Sequence, residues 1–296
     1  MTDISLTYFI KRATNESKPL SQIFMEEESR ETGQSITVLK KRMADRIQIM
    51  RESLEKGLAT PQHSRSGYIT GGAFQLLQYS EQGRSLLSAN FTKLLAYAMA
   101  VPEVNACMGR IVAAPTAGSC GVLPAVLLSI ARKQKMPDAV LIPAFFTAGG
   151  IGMIIEKKAT ISGAQGGCQA EIGSASAMAA GALVEMAGGT PEQSDHAVAF
   201  ALKNLMGLIC DPVGGLVEIP CVKRNALGAM NAVAAAEMAL AGLTSLFTAD
   251  QVIETMGKVG KRLPEEFRET AQGGLASLPR PVKLHREPPS SGRDSI

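Results

Sequence analysis

The sequence is poor in aromatic and in charged side chains. Its 296 residues include no Trp, 4 Tyr and 9 Phe, and charged residues make up 19%. Hydrophobic residues make up 46%, which excludes an intrinsically disordered chain, since such chains combine high charge with low hydrophobicity. Glycine is frequent, at 29 residues, and alanine is abundant. We therefore expect an interior of small side chains that lets backbones approach closely.

The chain has no large excess of charge of either sign. Lys and Arg total 30 and Asp and Glu total 27, which gives a net charge of +3. It also lacks a long basic run with interleaved aromatic residues, the pattern of a nucleic-acid-binding surface. We therefore expect no nucleic-acid partner.

Signals for secretion and for membrane insertion are also missing. The N-terminus has no basic region followed by an apolar stretch, so we expect a cytoplasmic protein with reduced thiols. The charge-free segment between Arg110 and Arg132 is interrupted by Pro115, Gly118 and Pro124. A lipid-exposed helix would leave backbone groups unpaired at such positions, and we expect no membrane span there.

Charge divides the chain into zones. Residues 1–60 carry 10 basic and 9 acidic residues, whereas residues 101–245 carry 9 basic and 10 acidic ones, the same total over more than twice the length. This distribution predicts a charged helical N-terminal arm over 1–60 and a charge-poor domain with an apolar core over 61–277. The last residues, 278–296, contain four prolines and two adjacent serines, and they are predicted to form a flexible tail.

Apolar spacing predicts helices and gives almost no sign of strands. Ile36 to Leu54 carry apolar residues three and four apart, with Ser35 as the N-cap and Gly57 as the stop. Capping boxes are predicted at Thr190 and at Thr248. Further helices are predicted at about 121–134, 141–157, 168–187, 191–208 and 226–245. The fold class predicted is all-α, a mainly helical domain with Gly-rich loops.

Three loops rich in Gly, Pro and polar residues interrupt the apolar middle zone: 114–121, 162–171 and 210–221. Irregular backbone inside an apolar core carries unpaired polar groups, so it is usually kept for a ligand. In the first loop, hydroxyl groups and backbone donors suit a small polar substrate. The candidates for substrate contact there are Thr116, Gly118 and Ser119, although Ser119 could instead bond its own turn.

Each loop contains a cysteine, and two interpretations of these cysteines remain open. Cys168, Cys210 and Cys221 lack the two-residue spacing of zinc knuckles and ferredoxin runs, and free cysteine is often simply buried. Glycines beside the thiols favour metal binding, because backbone N–H groups can then approach a sulfur or a cluster. Cys107 is interpreted as a packing residue, and Cys120 is undecided.

Longer motifs around these cysteines resemble a known family. They are Pro115-Thr-Ala-Gly-Ser, Gly163-Ala-Gln-Gly-Gly-Cys-Gln-Ala-Glu-Ile-Gly173 and Cys210-Asp-Pro-Val-Gly-Gly-Leu-Val-Glu-Ile-Pro-Cys221-Val-Lys-Arg-Asn225. From about Ser64 to Gly242 the sequence resembles the α-chain of bacterial iron-sulfur L-serine dehydratases. The resemblance implies that Cys168, Cys210 and Cys221 hold a 4Fe-4S cluster with one open iron.

The resemblance also implies an activity and a partner. The expected enzyme is an L-serine ammonia-lyase of serine catabolism and gluconeogenesis, which converts this small amino acid to pyruvate and ammonia with the open iron as Lewis acid. A separate β-chain is expected, because the Ser-Ser-Ser-His-Thr stretch of the β-chain is missing. Ser64 and Arg65 lie in a polar segment that the resemblance places at the pocket, where Arg65 could clamp a carboxylate. No general base is identified.

Two other functions compete with this one. A non-catalytic metal or redox module would use the same cysteines but would need a fully ligated cluster. L-cysteine desulfidase, which resembles this domain, performs the analogous β-elimination of sulfide. A pyridoxal-phosphate route is disfavoured, because Lys157-Lys158 lack the motif that a Schiff-base lysine requires.

Overall fold

The computed structural model describes residues 4–279, which form a bundle of α-helices. No β-strand occurs within this range; extended pairing is limited to two isolated bridges, His63 with Thr70 and Cys210 with Arg268. The α-helices are α1 (Leu6–Glu16), α2 (Leu20–Thr32), α3 (Ile36–Ala59), α4 (Gly72–Glu81), α5 (Ala89–Ala106), α6 (Val122–Gln134), α7 (Asp138–Lys158), α8 (Gly163–Gly166), α9 (Ser174–Met186), α10 (Pro191–Asn204), α11 (Cys221–Leu240) and α12 (Ala249–Arg262). The prediction of an all-α fold is confirmed.

Helix α9 lies at the centre of the bundle. It packs against α6, α7, α10 and α11, and every residue except Glu185 is buried. Ala, Ser and Gly supply most of its surface, so neighbouring backbones come close. Gly181 shows the constraint, because a Cβ atom there would lie 2.5 Å from Ile151 Cδ1. The abundance of small residues therefore has a structural use at the bundle centre.

Helix α3 begins where it was predicted and ends later. Ser35 Oγ accepts a hydrogen bond from Val38 N at 3.4 Å, which confirms the N-cap. Gly57, however, does not stop the helix, which continues to Ala59. A Cβ atom on Gly57 would lie 2.5 Å from the carbonyl oxygen of Ala100, so this glycine permits a close crossing of α3 and α5.

The middle helices occur close to their predicted positions, with shifted ends. The segment predicted as 168–187 opens with a π-helix, Gln169–Gly173, before α9 begins. The helix predicted over 226–245 runs from Cys221 to Leu240, because a left-handed Gly242 turns the chain and Leu243 N bonds Met238 O at 3.0 Å. The predicted 191–208 helix ends at Asn204.

Both predicted capping boxes are present. Gln193 N donates to Thr190 Oγ1 at 3.2 Å, and Thr190 N donates back to the Gln193 side chain at 2.9 Å. Thr248 and Gln251 make the same reciprocal pair at the start of α12. These bonds satisfy backbone donors that would otherwise lack partners at the helix ends.

Among the described helices, α7 alone has the length and apolar composition of a membrane span. Over its most apolar window the mean hydropathy is 1.8 and 56% of the residues are buried within the bundle. The charge-free segment between Arg110 and Arg132 instead forms a loop, a short 3₁₀ turn (Ala117–Ser119) and most of α6.

Residues from the charged N-terminal zone contribute to the same core as the middle zone. Leu6, Phe9, Leu20, Ile23 and Ile47 belong to one apolar cluster with the side chains of α9 and α11. The division of the chain at residue 60 stays a prediction. The predicted tail, 278–296, lies outside the described residues from position 280 onward.

Candidate active site

The first and second loops are joined by a hydrogen bond between the half-buried Thr116 and the buried Glu171. Thr116 Oγ1 donates to Glu171 Oε1 at 2.6 Å. Glu171 lies in the π-helix just after Cys168, and π-helical turns are frequent at functional sites. Burial raises the pKa of this carboxyl, and the nearby Glu269 adds to the shift.

Asn225 joins the first loop to the third. Its side chain, fully buried on α11, accepts from Gly121 N at 2.8 Å and donates to Gly118 O at 2.8 Å. It also donates to Cys221 O at 2.9 Å within its own helix. One amide group therefore uses its donor and acceptor capacity to fix the 114–121 loop against the start of α11.

The second and third loops are linked through the backbone that precedes Cys210. Gln169 N donates to Leu208 O at 2.9 Å, and the Gln169 side chain accepts from Gly207 N at 2.8 Å. On the other side, Arg224 donates to Ile209 O at 2.9 Å. The three loops thus meet at one place in the fold.

All three predicted ligand cysteines are buried at this junction. Cys168 and Cys210 are each 2% exposed, and Cys221 is 6% exposed. Interaction with the neighbouring Cys168 side chain, together with burial, raises the pKa of the Cys210 thiol. Burial, with the nearby Cys168 and Glu171, raises the pKa of the Cys221 thiol to about 12. Crowded, buried thiols of this kind ionise only beside positive charge.

The other two cysteines have different surroundings. Cys120 is fully buried in the main apolar cluster, and burial raises its pKa to about 12. Cys107 is half-buried at the end of α5. Among the described residues, neither thiol forms a hydrogen bond with Cys168, Cys210 or Cys221.

Within residues 4–279, no group of three or more His, Cys, Asp and Glu side chains converges on a point that could hold a single metal ion. A single ion needs all its ligands within bonding distance, about 2.3 Å for a thiolate on zinc. An iron-sulfur cluster takes each cysteine on a different iron, so its ligands stand farther apart.

The predicted substrate residues fall into two groups. Ser119 is fully buried, and its hydroxyl lies 3.1 Å from Thr116 Oγ1, within the turn. A Cβ atom on Gly118 would lie 3.0 Å from Glu171 Oε1, so the glycine lets the two loops approach. Ser64 is buried at a separate turn, where it bonds Glu218, while Arg65 beside it is exposed. Their roles toward a substrate stay predictions.

Several polar residues near the site were not selected from the sequence. Glu103, on α5, is 1% exposed; its Oε1 accepts from Ala73 N at 3.1 Å, and its Oε2 has no partner among the described residues. Burial raises its pKa to about 7. Asn225 is the last residue of the longest cysteine motif, so the sequence could have indicated it as a site residue. Glu103 stands in an apolar helix with no motif to mark it.

A C-terminal segment, residues 265–277, also packs on the site. Cys210 N donates to Phe267 O at 2.8 Å, and Glu269 N donates to Cys210 O at 2.9 Å. Asp211 accepts from Leu275 N at 2.8 Å and forms an ion pair with Arg224 at 2.8 Å. The segment therefore holds the backbone that carries the second predicted ligand.

A cavity of about 520 Å³ lies away from this junction. It opens between α2, α3 and α7 and contains none of the predicted site residues. Its carboxylate, Glu185, is already bonded by Ser21 N at 3.1 Å and by Thr147 Oγ1 at 2.6 Å. This cavity is therefore separate from the junction of the three loops.

Comparison with known proteins identifies the family of this chain. The family model described as serine dehydratase alpha chain matches residues 15–276, which include all three loops. The chain belongs to this family. The probable L-serine dehydratase alpha chain of Bacillus subtilis (strain 168) is 47% identical over 268 residues, covering 90% of this chain and 89% of the relative.

Two further relatives differ in how much of their own length the match covers. The L-serine dehydratase alpha chain of Peptoniphilus asaccharolyticus is 43% identical over 90% of this chain and 91% of its own length. The L-serine dehydratase of Streptomyces coelicolor is 43% identical over 77% of this chain, but the match spans only 51% of that protein. Some members therefore carry a large additional region.

Proposed function

We propose that this chain is the catalytic subunit of an L-serine dehydratase, which converts L-serine to pyruvate and ammonia in the cytoplasm. The observation that carries the proposal is the meeting of three buried cysteines with Thr116 and Glu171 where three loops join. Relatives aligned over about 90% of both chains bear the name L-serine dehydratase, alpha chain. The reaction removes the α-proton and the β-hydroxyl, and the resulting aminoacrylate tautomerises to an imine that water hydrolyses.

We further propose that Cys168, Cys210 and Cys221 hold a 4Fe-4S cluster. The donor set fits, because thiolates are the usual ligands of such clusters. When bound, a cluster with three protein ligands supplies an open iron, a Lewis acid for the departing hydroxyl.

Other side chains at the junction suit a zwitterionic substrate of three carbons. In this proposal the Glu171 carboxylate, which lies 3.7 Å from Cys210 Sγ and accepts a hydrogen bond from Thr116, binds the substrate ammonium group. The ammonium would in turn favour the ionised form of Glu171. The buried walls around this point exclude water from the elimination step.

We propose a β-chain as the partner of this subunit. The name alpha chain in the relatives implies a second chain, and single-chain relatives are about twice as long as the region matched here. Arg65 and Lys223 are exposed near the predicted site, and a second chain could complete the pocket over them. The general base would then come from that partner.

The proposal is tested by co-purifying the chain with its β-chain without oxygen and measuring pyruvate release from L-serine. We expect pyruvate from the complex and none from a complex that carries Cys210→Ala. Cys107→Ala is the matched control, since this half-buried thiol lies outside the three loops. It should still release pyruvate from L-serine, because Cys107 is not one of the three predicted ligands.

Two results would contradict the proposed function. One is a complex with intact cluster that releases no pyruvate from L-serine. The other is a clear preference for L-cysteine, measured as sulfide release, which would assign the chain to desulfidase chemistry instead.

A further inference from the structure

The carboxylate of Glu218 connects two segments that are far apart in the sequence. It stands three residues before Cys221, and its Oε2 accepts hydrogen bonds from Ser64 Oγ, at 2.8 Å, and from Ser66 Oγ. These serines belong to a turn over residues 63–70, which we call the serine turn. The bonds therefore tie the serine turn to the loop that carries two predicted ligands.

The serine turn is closed by its own backbone and by the same two hydroxyls. Ser64 N donates to Ile69 O at 3.3 Å, and Gly67 N donates to Ser64 O at 3.0 Å. Tyr68 N donates to Ser66 Oγ at 3.1 Å, and Ile69 N donates to Ser64 Oγ at 3.2 Å. Each serine oxygen thus receives an amide proton while its own proton goes to Glu218.

The hydrogen bonds between Glu218 and the serine turn are buried or partly buried. Glu218 is 7% exposed and Ser64 is 8% exposed, so a lost hydrogen bond here is not simply replaced by water. Arg65, between the two serines, is exposed and forms no ion pair with any residue of the described range. The turn therefore fixes the backbone of an arginine whose guanidinium remains open to a ligand.

We propose that Glu218 is a positioning residue for substrate binding: it locks the serine turn against the Cys210–Cys221 loop so that Arg65 can bind the carboxylate of the substrate. This inference rests on the proposed function. It also changes the role of Ser64, whose hydroxyl is engaged by Glu218 and acts through the turn, not on the substrate. Arg65 binds a carboxylate because its fork of donors matches two oxygens.

The experiment uses the anaerobic complex with the β-chain and two pairs of variants. Glu218→Gln removes the charge that accepts both hydroxyls, and Glu237→Gln, an exposed carboxylate far along α11, is its control. Ser66→Ala removes one donor, and Ser66→Thr keeps the hydroxyl at this half-buried position. Ser66→Ala also keeps the test valid where Glu218→Gln yields little folded protein.

Three readouts separate positioning from other roles. Iron content per chain should equal that of the wild type in all four variants. Hydrogen exchange of the Tyr68 and Ile69 amides should speed up in Glu218→Gln and Ser66→Ala only. The KM for L-serine should rise about tenfold in these two variants, the effect of one lost charged hydrogen bond, with a smaller change in kcat.

Other patterns would overturn the inference. Faster exchange with an unchanged KM would show that the turn does not position a substrate group. A raised KM with unchanged exchange would assign Glu218 a direct contact instead. If the wild-type complex releases no pyruvate the proposed function fails, whereas unchanged exchange in both variants overturns the lock whatever the activity.

Discussion

Glu103 shows how a single buried carboxyl makes stability depend on pH. It lies inside α5 with one oxygen bonded to Ala73 N and the other without a partner among the described residues. Burial raises its pKa from 4.5 to about 7. The folded protein therefore holds this proton more tightly than the unfolded chain does, so its contribution to stability declines as pH rises from the unfolded value through 7.

Glu103→Gln should remove this dependence. From about pH 5 to about pH 8 the wild type should lose up to about 3 kcal/mol of unfolding free energy relative to the variant, which cannot ionise. Urea unfolding at the two pH values measures the difference, and exposed Glu237→Gln is the control that should show none. Parallel pH dependences of the wild type and Glu103→Gln would contradict the assignment.

Gly57 and Gly149 form a matched pair of helix-interior glycines. A Cβ atom on Gly57 would meet the backbone of Ala100 at 2.5 Å, whereas Gly149 has no atom within 4 Å of that position. Gly57→Ala should therefore lower the unfolding free energy by about 1–3 kcal/mol through overpacking. Gly149→Ala should raise it by up to about 1 kcal/mol through helix propensity. Equal effects in urea unfolding would contradict the crossing of α3 and α5.

At the scale of elements, the C-terminal segment 265–277 depends on Asp211. This carboxylate pairs with Arg224 and accepts from Leu275 N. Asp211→Ala should lower the unfolding free energy by about 2–3 kcal/mol, since hydrogen bonds to a charged group are lost in a buried place. It should also make the segment more sensitive to limited proteolysis.

Thr270→Ala is the control for this change. The Thr270 hydroxyl bonds Glu265 O within the segment and does not anchor it to the site. Proteolysis of the segment at the same rate in Asp211→Ala and in the wild type would show that Asp211 is not its anchor.

Helices with periodic apolar faces and capping residues could be predicted from the sequence, as α3, α10 and α12 show. Their ends could not all be predicted. Gly57 has the form of a stop signal but serves a helix crossing, and the π-helix after Cys168 has no local signature. In both places a tertiary contact determines the local structure, and such a contact cannot be predicted from the neighbouring residues in the sequence.

The candidate site could be located from its motifs but not assembled from them. Cysteines and glycines marked all three loops in the sequence. Asn225 and Glu218, which hold the loops and the serine turn together, are residue types that do not by themselves indicate a site. Their partners lie more than 100 residues away along the chain. Only the fold reveals that these contacts exist.

At the scale of the whole molecule, a close-packed helical bundle supports irregular loops at one junction. Central helix α9 is buried on all sides, and the loops before it and before α11 bring the cysteines together. A rigid bundle suits a site in which three distant thiols must keep a fixed spacing. The charged helices α1 to α3 share the same apolar cluster. Helix α2 packs on α7, and α3 packs on both α5 and α7.

Iron and sulfide analysis of the anaerobically purified complex is the most direct test of the proposal that Cys168, Cys210 and Cys221 together hold a 4Fe-4S cluster. The wild type and Cys107→Ala should each hold about four irons per chain, the content of one such cluster. Cys210→Ala, in a complex that remains folded by circular dichroism, should hold almost none. A full complement of iron in Cys210→Ala would contradict the assignment of Cys210 as a cluster ligand.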